Sequence, residues 1–186
     1  MTKYGSRALP RLHRSAARAA VSAAVLALSL SACAKPPVKV GLPLVLTGLT
    51  SRIGIAGRNG ALLAAERINA AGGIRGRRLE LLPRDDFEDP DKALEVDKAL
   101  AEEGAVALVG HMASRTGLKA AEFATGRRLP LVSPTISSTD YSGKDDYFFR
   151  VIGSNALMGK TLAAYARKTG LSRAAAAYES TNRSYT

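Results

Sequence analysis

Val106-Ala107-Leu108-Val109-Gly110-His111-Met112-Ala113-Ser114 is the stretch that decides the fold. A short apolar, β-branched run breaks at Gly110 and reaches Ser114, after which a helical pattern follows. This predicts a strand buried on both faces whose carboxyl end opens into a helix N-terminus, the place where open α/β sheets hold ligands. The first backbone N–H groups of a helix lack intrahelical acceptors and carry partial positive charge. A small anionic group therefore docks there, with the Ser114 hydroxyl as an added donor. Nothing in the stretch performs bond-making chemistry.

Strand and helix patterns alternate on either side. Residues 38–46 read as a first strand in which Pro43 predicts irregularity or an early end, and residues 47–54 as a glycine-punctuated loop. Residues 57–71 carry helical spacing through Ala61, Leu62, Ala65 and Ile68, closed by the glycine turn Gly72-Gly73-Ile74-Arg75-Gly76. Residues 78–86 form a second strand. Asp89-Pro90 then sets a capping acid before a proline at the first helical position, with Ala93, Leu94, Val96, Ala99 and Leu100 as the buried stripe. Beyond Ser114 a helix runs to about Thr125, followed by a strand at 129–133, a hydroxyl-rich loop at 134–139 and a strand at 147–151. Ser154-Asn155 caps a helix over 156–168, and 174–178 reads as a last strand. Alternation at this spacing predicts βαβ units, and hence an α/β fold with a doubly wound parallel sheet.

Composition excludes some functions. The formal charge of +11 points to nucleic acid until it is located: Lys3, Arg7, Arg11, Arg14 and Arg18 precede the first long apolar run, leaving +6 for the remainder. That remainder lacks the interleaved basic and aromatic residues of a single-strand binder, so no nucleic-acid partner is expected. The basic start, the apolar segment 19–30 and Leu30-Ser31-Ala32-Cys33 have the order of a targeting signal. The apolar run is too short and too rich in alanine for a comfortable membrane span. Leu30-Ser31-Ala32-Cys33 resembles the lipobox of bacterial lipoproteins, which implies that Cys33, the single cysteine, is a lipid attachment point. Residues 1–33 are then a signal peptide and 34–37 a proline-stiffened tether, with the protein lipid-anchored at the cell envelope.

The ordered motifs Val40-Gly41-Leu42, Thr47-Gly48, Arg58-Asn59-Gly60-Ala61, Ile68-Asn69-Ala70-Ala71-Gly72-Gly73-Ile74-Arg75-Gly76-Arg77, Asp85-Asp86, Asp89-Pro90, Val109-Gly110-His111, Ser133-Pro134 and Phe149-Arg150-Val151 carry a wider resemblance. Together they resemble the substrate-binding proteins of branched-chain amino acid ABC transporters, of the type I periplasmic binding fold. That resemblance implies two α/β lobes closing on a ligand, with 38–150 as a nearly complete first lobe and 151–186 as the crossover and the start of the second. It also implies an N-terminal part of a longer protein, which alone holds its ligand poorly. The implied partners are an amino acid or similar zwitterion and a membrane permease. No cofactor, metal or enzymatic step is implied.

By the same resemblance, Ser114 gives a hydroxyl to the ligand carboxylate, while the Thr135 carbonyl and the Ser137 hydroxyl meet the ammonium. Ile53 lines the pocket wall, and Tyr185 packs over the ligand from the second lobe. The plain alternatives are an ordinary helix N-cap at Ser114 and a turn residue at Ser137. Arg115 either faces the cleft and favours an acidic ligand or is a solvated helix-start arginine. Asp85, Asp86, Glu88 and Asp89 read as solvated structure around a helix cap, and His111 as a satisfied strand-end histidine. Gly153-Ser154-Asn155-Ala156-Leu157-Met158-Gly159-Lys160-Thr161 imitates a phosphate loop, which keeps a nucleotide-using enzyme as one alternative. Its glycines are one residue too far apart for the usual cradle. A lipid-anchored remnant without ligand function is the other alternative.

Overall fold

The computed structural model describes residues 35–177. Cys33, Tyr185 and the signal segment lie outside the described residues. Five parallel strands, β1 (Val38–Leu44), β2 (Leu79–Asp85), β3 (Leu108–Val109), β4 (Leu131–Ser133) and β5 (Phe148–Arg150), form one sheet in the order β2-β1-β3-β4-β5. Helices α1 (Ser51–Ala70), α2 (Pro90–Glu102) and α3 (Ser114–Arg127) connect successive strands, and α4 (Asn155–Lys168) follows β5. The alternation read from the sequence is therefore the parallel α/β sheet expected.

The decisive stretch folds as the central strand and the turn after it, although its regular part is shorter than expected. Leu108 is fully buried, whereas Val106 is more than half exposed. The backbone still reaches both neighbours: Val106 N–H donates to Lys39, Leu108 N–H to Pro130 and Gly110 N–H to Val132. Pro43 does not end β1, whose pairing with β2 runs from Val38↔Leu79 to Leu44↔Asp85. Its effect falls on the other side. Gly41 N–H donates to Ala107 on the β3 side, and two residues on Pro43 has no N–H to offer, so that ladder stops at Gly41↔Leu108.

The core lies where α2 and α3 pack on one another and on the sheet, with Leu100, Leu108, Ala120, Ala124, Leu131 and Ile136 fully buried. Three expected elements are corrected. The segment 51–54, read as loop, is the first turn of α1, because Gly54 lets that helix start almost in contact with β1: a Cβ there would lie 1.8 Å from the Val45 carbonyl oxygen. Residues 174–177 form no strand, having no neighbour to pair with among the described residues. In α1 and α2 the expected stripes are only partly covered, since Leu62, Ile68 and Ala99 are exposed.

Candidate functional site

All five strands run the same way, so their carboxyl ends share one edge. Strands β1 and β3 are neighbours in space but not in sequence, so the strand order reverses between them, and it is at such switch points, between the loops that leave the two strands, that open α/β sheets hold ligands. Gly110 allows the two loops to approach, because a Cβ there would sit 2.1 Å from the Pro43 carbonyl oxygen.

Hydrogen bonds then lock the loop after β3 to the loop after β4. The Ser133 hydroxyl donates to the His111 carbonyl at 2.8 Å and accepts the Ile136 N–H at 3.1 Å. The Thr135 hydroxyl donates to the Met112 carbonyl at 2.7 Å. The Tyr141 hydroxyl donates to the Ser114 carbonyl, and the Tyr141 ring is held against Phe148 with centroids 4.8 Å apart. Arg150 Nη1 donates to the Ser138 carbonyl at 2.7 Å, and Asn155 N–H to the Ser137 carbonyl at 2.9 Å. Ser114, Thr135 and Ser137 thus stand on two loops fastened side by side.

Ser114 is not the helix cap. Ala113 holds the extended N-cap conformation and offers no side-chain acceptor, which makes Ser114 the first helical residue. The helix start, at the carboxyl edge of the sheet, accordingly has no side-chain cap hydrogen bond. Ile53 lies in the first turn of α1 and is half exposed. Arg115 is not merely solvated: it pairs with Glu88 at 3.2 Å, and Glu88 also accepts from the Thr50 hydroxyl. This bridge links the starts of α1 and α3 through the loop after β2.

The acids after β2 are not solvated structure as a group. Asp89 does cap α2, accepting from Asp91 and Lys92 N–H. Asp85 instead ties down the loop after β1 through Leu46 N–H at 2.9 Å and the Thr47 hydroxyl at 2.6 Å. Burial pushes its carboxyl up, but the Thr47 hydroxyl and the Leu46 and Phe87 N–H groups outweigh that and hold its pKa below the ordinary value. Asp86 is buried, with its carboxylate 2.6 Å from His111 Nδ1. On the other ring nitrogen, Nε2 lies 3.2 Å from buried Asp97. Burial alone would lower the His111 pKa; the two aspartates reverse this and raise it to about 9, so the ring is an imidazolium at neutral pH. Asp97 Oδ1 has no hydrogen-bond partner among the described residues.

Sequence reasoning missed Asp97, yet a signal was there. With Ala93 and Leu100 it occupies the buried face of α2 at helical spacing, so a carboxylate stood in an apolar stripe. Both nitrogens of His111, the sole histidine among the described residues, are committed to this buried cluster and cannot serve a hydrolytic nucleophile. Among the described residues no group of three His, Cys, Asp or Glu is placed to hold a metal. The phosphate-loop imitation is a Ser154-capped helix start with Gly159 inside α4, and no glycine-lined cradle forms. What the edge offers is hydroxyls, carbonyls and helix-start N–H groups.

Comparison with known proteins agrees with this reading of the fold. The profile of a periplasmic binding protein family matches residues 37–185. The chain is 28% identical over 158 residues to the leucine-, isoleucine-, valine-, threonine- and alanine-binding protein of Pseudomonas aeruginosa, covering 84% of this chain and 40% of that protein. It is 28% identical to the leucine-specific-binding protein of Salmonella typhimurium over 151 residues, covering 80% and 41%. The solved branched-chain amino acid transporter substrate-binding protein of Streptococcus pneumoniae, in complex with isoleucine, superposes with a TM-score of 0.66 at 29% identity, covering 71% of this chain and 38% of that one. The chain spans about two-fifths of the length of these relatives. With the matched profile and the parallel sheet in agreement, this chain belongs to the periplasmic binding protein family and has the type I fold of these solved relatives.

Proposed function

We propose that the chain belongs to an extracytoplasmic lipoprotein that captures branched-chain or related amino acids and delivers them to an ABC importer. The observation that carries this reading is the fastening of the Ser114 loop to the Thr135–Ser137 loop at the switch point. In this reading the helix start and the Ser114 hydroxyl hold the ligand carboxylate, and the Thr135 carbonyl and Ser137 hydroxyl hold its ammonium. Each such charge-assisted hydrogen bond contributes about 1.5–3 kcal/mol. Ile53 and Tyr185 flank the aliphatic part, and Cys33 carries the lipid that keeps the protein at the envelope beside its permease.

Nuclear magnetic resonance titration of the chain with leucine, isoleucine and valine, and with adenosine triphosphate as control, tests the site whatever the affinity. Amide shifts confined to residues 46–53, 110–116 and 134–138 are expected with the amino acids and absent with the nucleotide. In a protein that also carries the second lobe, Ser114→Ala is expected to weaken binding by about 1–3 kcal/mol, close to the ten- to hundredfold range. Amidating the ligand carboxylate removes the same interaction, so the two losses combine less than additively. Additive losses, or shifts elsewhere, would withdraw the assignment. Palmitate labelling that disappears in Cys33→Ala tests the anchor separately.

A further inference from the structure

The carboxyl edge of the sheet holds the ligand loops, and the opposite edge has a different character. From residue 67 to residue 79 the chain carries Arg67, Arg75, Arg77 and Arg78 and no acid. Arg67 lies in the last turn of α1, and the other three follow in the connection to β2. That connection is a hydrogen-bonded turn. Ile74 N–H donates to the Arg77 carbonyl at 2.7 Å and Arg77 N–H returns to the Ile74 carbonyl at 3.0 Å. Arg75 and Gly76 occupy its tip, both in the left-handed region with φ 53° and 75°. Arg75 and Arg78 are exposed, as is Ile74 in part, and Arg67, Arg75 and Arg78 form no ion pair among the described residues.

The turn is fastened to the place where the chain enters the fold. Arg77 Nη2 donates to the Pro37 carbonyl at 3.0 Å, and Val38 N–H donates to the Arg78 carbonyl at 2.8 Å. Cys33 is four residues before Pro37, and an extended chain spans at most about 3.5 Å per residue, so an acyl anchor at Cys33 lies within roughly 14 Å of this edge. The acids that share the edge are Glu66 and Glu80 beside the turn, Glu102 and Glu103 at the end of α2, and Asp145 and Asp146 before β5. Arg127 and Arg128 at the end of α3 and Lys144 add further positive charge there.

We propose that the arginine turn is a docking surface for anionic phospholipid headgroups, seating the fold on the bilayer with its ligand loops facing away. This rests on the reading of Cys33 as a lipid anchor. A single acyl-anchored terminus leaves a domain free to tumble, and basic residues near an anionic surface each strengthen contact about fivefold within a Debye length. The exposed Ile74 beside the arginines suits the boundary between headgroups and acyl chains. The geometry also places the site roughly one strand length from the surface, since β1 rises about 3.3 Å per residue.

The full chain, expressed with its signal and reconstituted into vesicles, is treated with an arginine-specific dicarbonyl reagent. Modification rates at individual arginines are read by mass spectrometry. On mixed phosphatidylglycerol and phosphatidylcholine vesicles, Arg75 and Arg78 are expected to react roughly fivefold more slowly than on phosphatidylcholine alone. Arg52, at the opposite edge, is expected to be unchanged, and high salt is expected to abolish the protection. In the Arg75→Gln, Arg78→Gln variant, Arg67 is expected to react on anionic vesicles as fast as on neutral ones. Equal rates on both vesicles, protection of Arg67 that survives in the variant, or protection by a single-stranded oligonucleotide without protection by vesicles would overturn the proposal. Palmitate incorporation, followed in parallel, reports the anchor by itself: label with unprotected arginines sinks the surface alone, and protection without label sinks the anchor alone.

Discussion

Helices α3 and α4 are both 14 residues long and both end in basic residues, α3 beginning at Ser114 and α4 just after the Ser154 cap, yet they differ in everything that packing decides. Helix α3 buries Thr116, Gly117, Ala120, Ala121 and Ala124. Helix α4 has no buried residue among the described residues, and its Leu157, Met158, Leu162 and Tyr165 are exposed. In α3 the fully buried face is threonine, glycine and alanine, with Leu118 and Phe123 packed partly buried against the core, whereas the large apolar residues of α4 are exposed. Small residues let α3 lie close over Ile136 and Tyr141, and that closeness holds the Ser114 loop. Periodicity and caps are local properties of a sequence. Burial requires a partner, and most helix stability in a fold comes from that partner.

The largest expected effect lies beneath the start of α3. His111→Ala leaves Asp86 and Asp97 buried without their common counter-charge, which costs about 3–5 kcal/mol, a large share of the roughly 5–15 kcal/mol that holds a domain together. Urea unfolding of the variant against the parent chain measures it. A loss under 1 kcal/mol would mean that water reaches the cluster. The same cluster sets a pH dependence. The His111 pKa is raised from 6.5 to about 9 on folding, so its contribution is complete below pH 6.5 and disappears as pH rises through 9. Unfolding followed at pH 6, 8 and 9.5 is expected to show stability falling across that window. Asp86→Asn should flatten the fall.

One substitution made in both helices sharpens the comparison, because Gly→Ala carries the same helix propensity gain of about 1 kcal/mol in each. In α3 the new Cβ of Gly117→Ala would lie 2.4 Å from Ile136 Cδ1 and 3.1 Å from the Tyr141 hydroxyl. Ile136 is fully buried, and the tyrosine is committed to the Ser114 carbonyl, so neither yields freely. Overpacking of this kind costs about 1–3 kcal/mol, leaving a net loss and a displaced Ser114 loop. In α4, Gly159→Ala meets nothing within 4 Å and is expected to stabilise by up to about 1 kcal/mol. Thermal unfolding of the two variants should therefore move in opposite directions. Equal shifts would show that α3 is as loosely held as α4.

The parallel sheet, its strand-to-helix rhythm and the Asp89 cap were legible because each rests on short-range pattern. The grouping of Ser114, Thr135 and Ser137 came from the family resemblance, and it concerns loops that parallel strands deliver to one edge. The partners of those loops were not legible. That Ser133 and Thr135 reach back to the carbonyls of His111 and Met112 depends on strand neighbours 22 and 23 residues apart in the chain. Asp86 looked like one of four solvated acids because nothing local says which of two adjacent aspartates points inward. Period two along the end of β2 sends Asp85 to the β1 loop and Asp86 towards His111, which only the register of the sheet determines.

The smallest expected effect decides how far the contrast between the helices holds. Leu162 sits in the middle of α4 and is 69% exposed, so truncating it removes little surface from contact with protein. Leu162→Ala is therefore expected to change stability by less than about 0.5 kcal/mol, the usual range for surface positions. A buried leucine truncated the same way costs about 2–5 kcal/mol. Leu108→Ala, at a fully buried residue of β3, supplies that reference in the same chain. If Leu162→Ala costs 2 kcal/mol or more, α4 is packed against a surface in solution, and the exposed stripe Leu157, Met158, Leu162 and Tyr165 is its contact face. Concentration dependence of the unfolding midpoint then tells the origin of that surface. A midpoint that rises with protein concentration means a second copy covers the helix, because association stabilises by mass action. A midpoint independent of concentration means that the covering residues belong to the same chain.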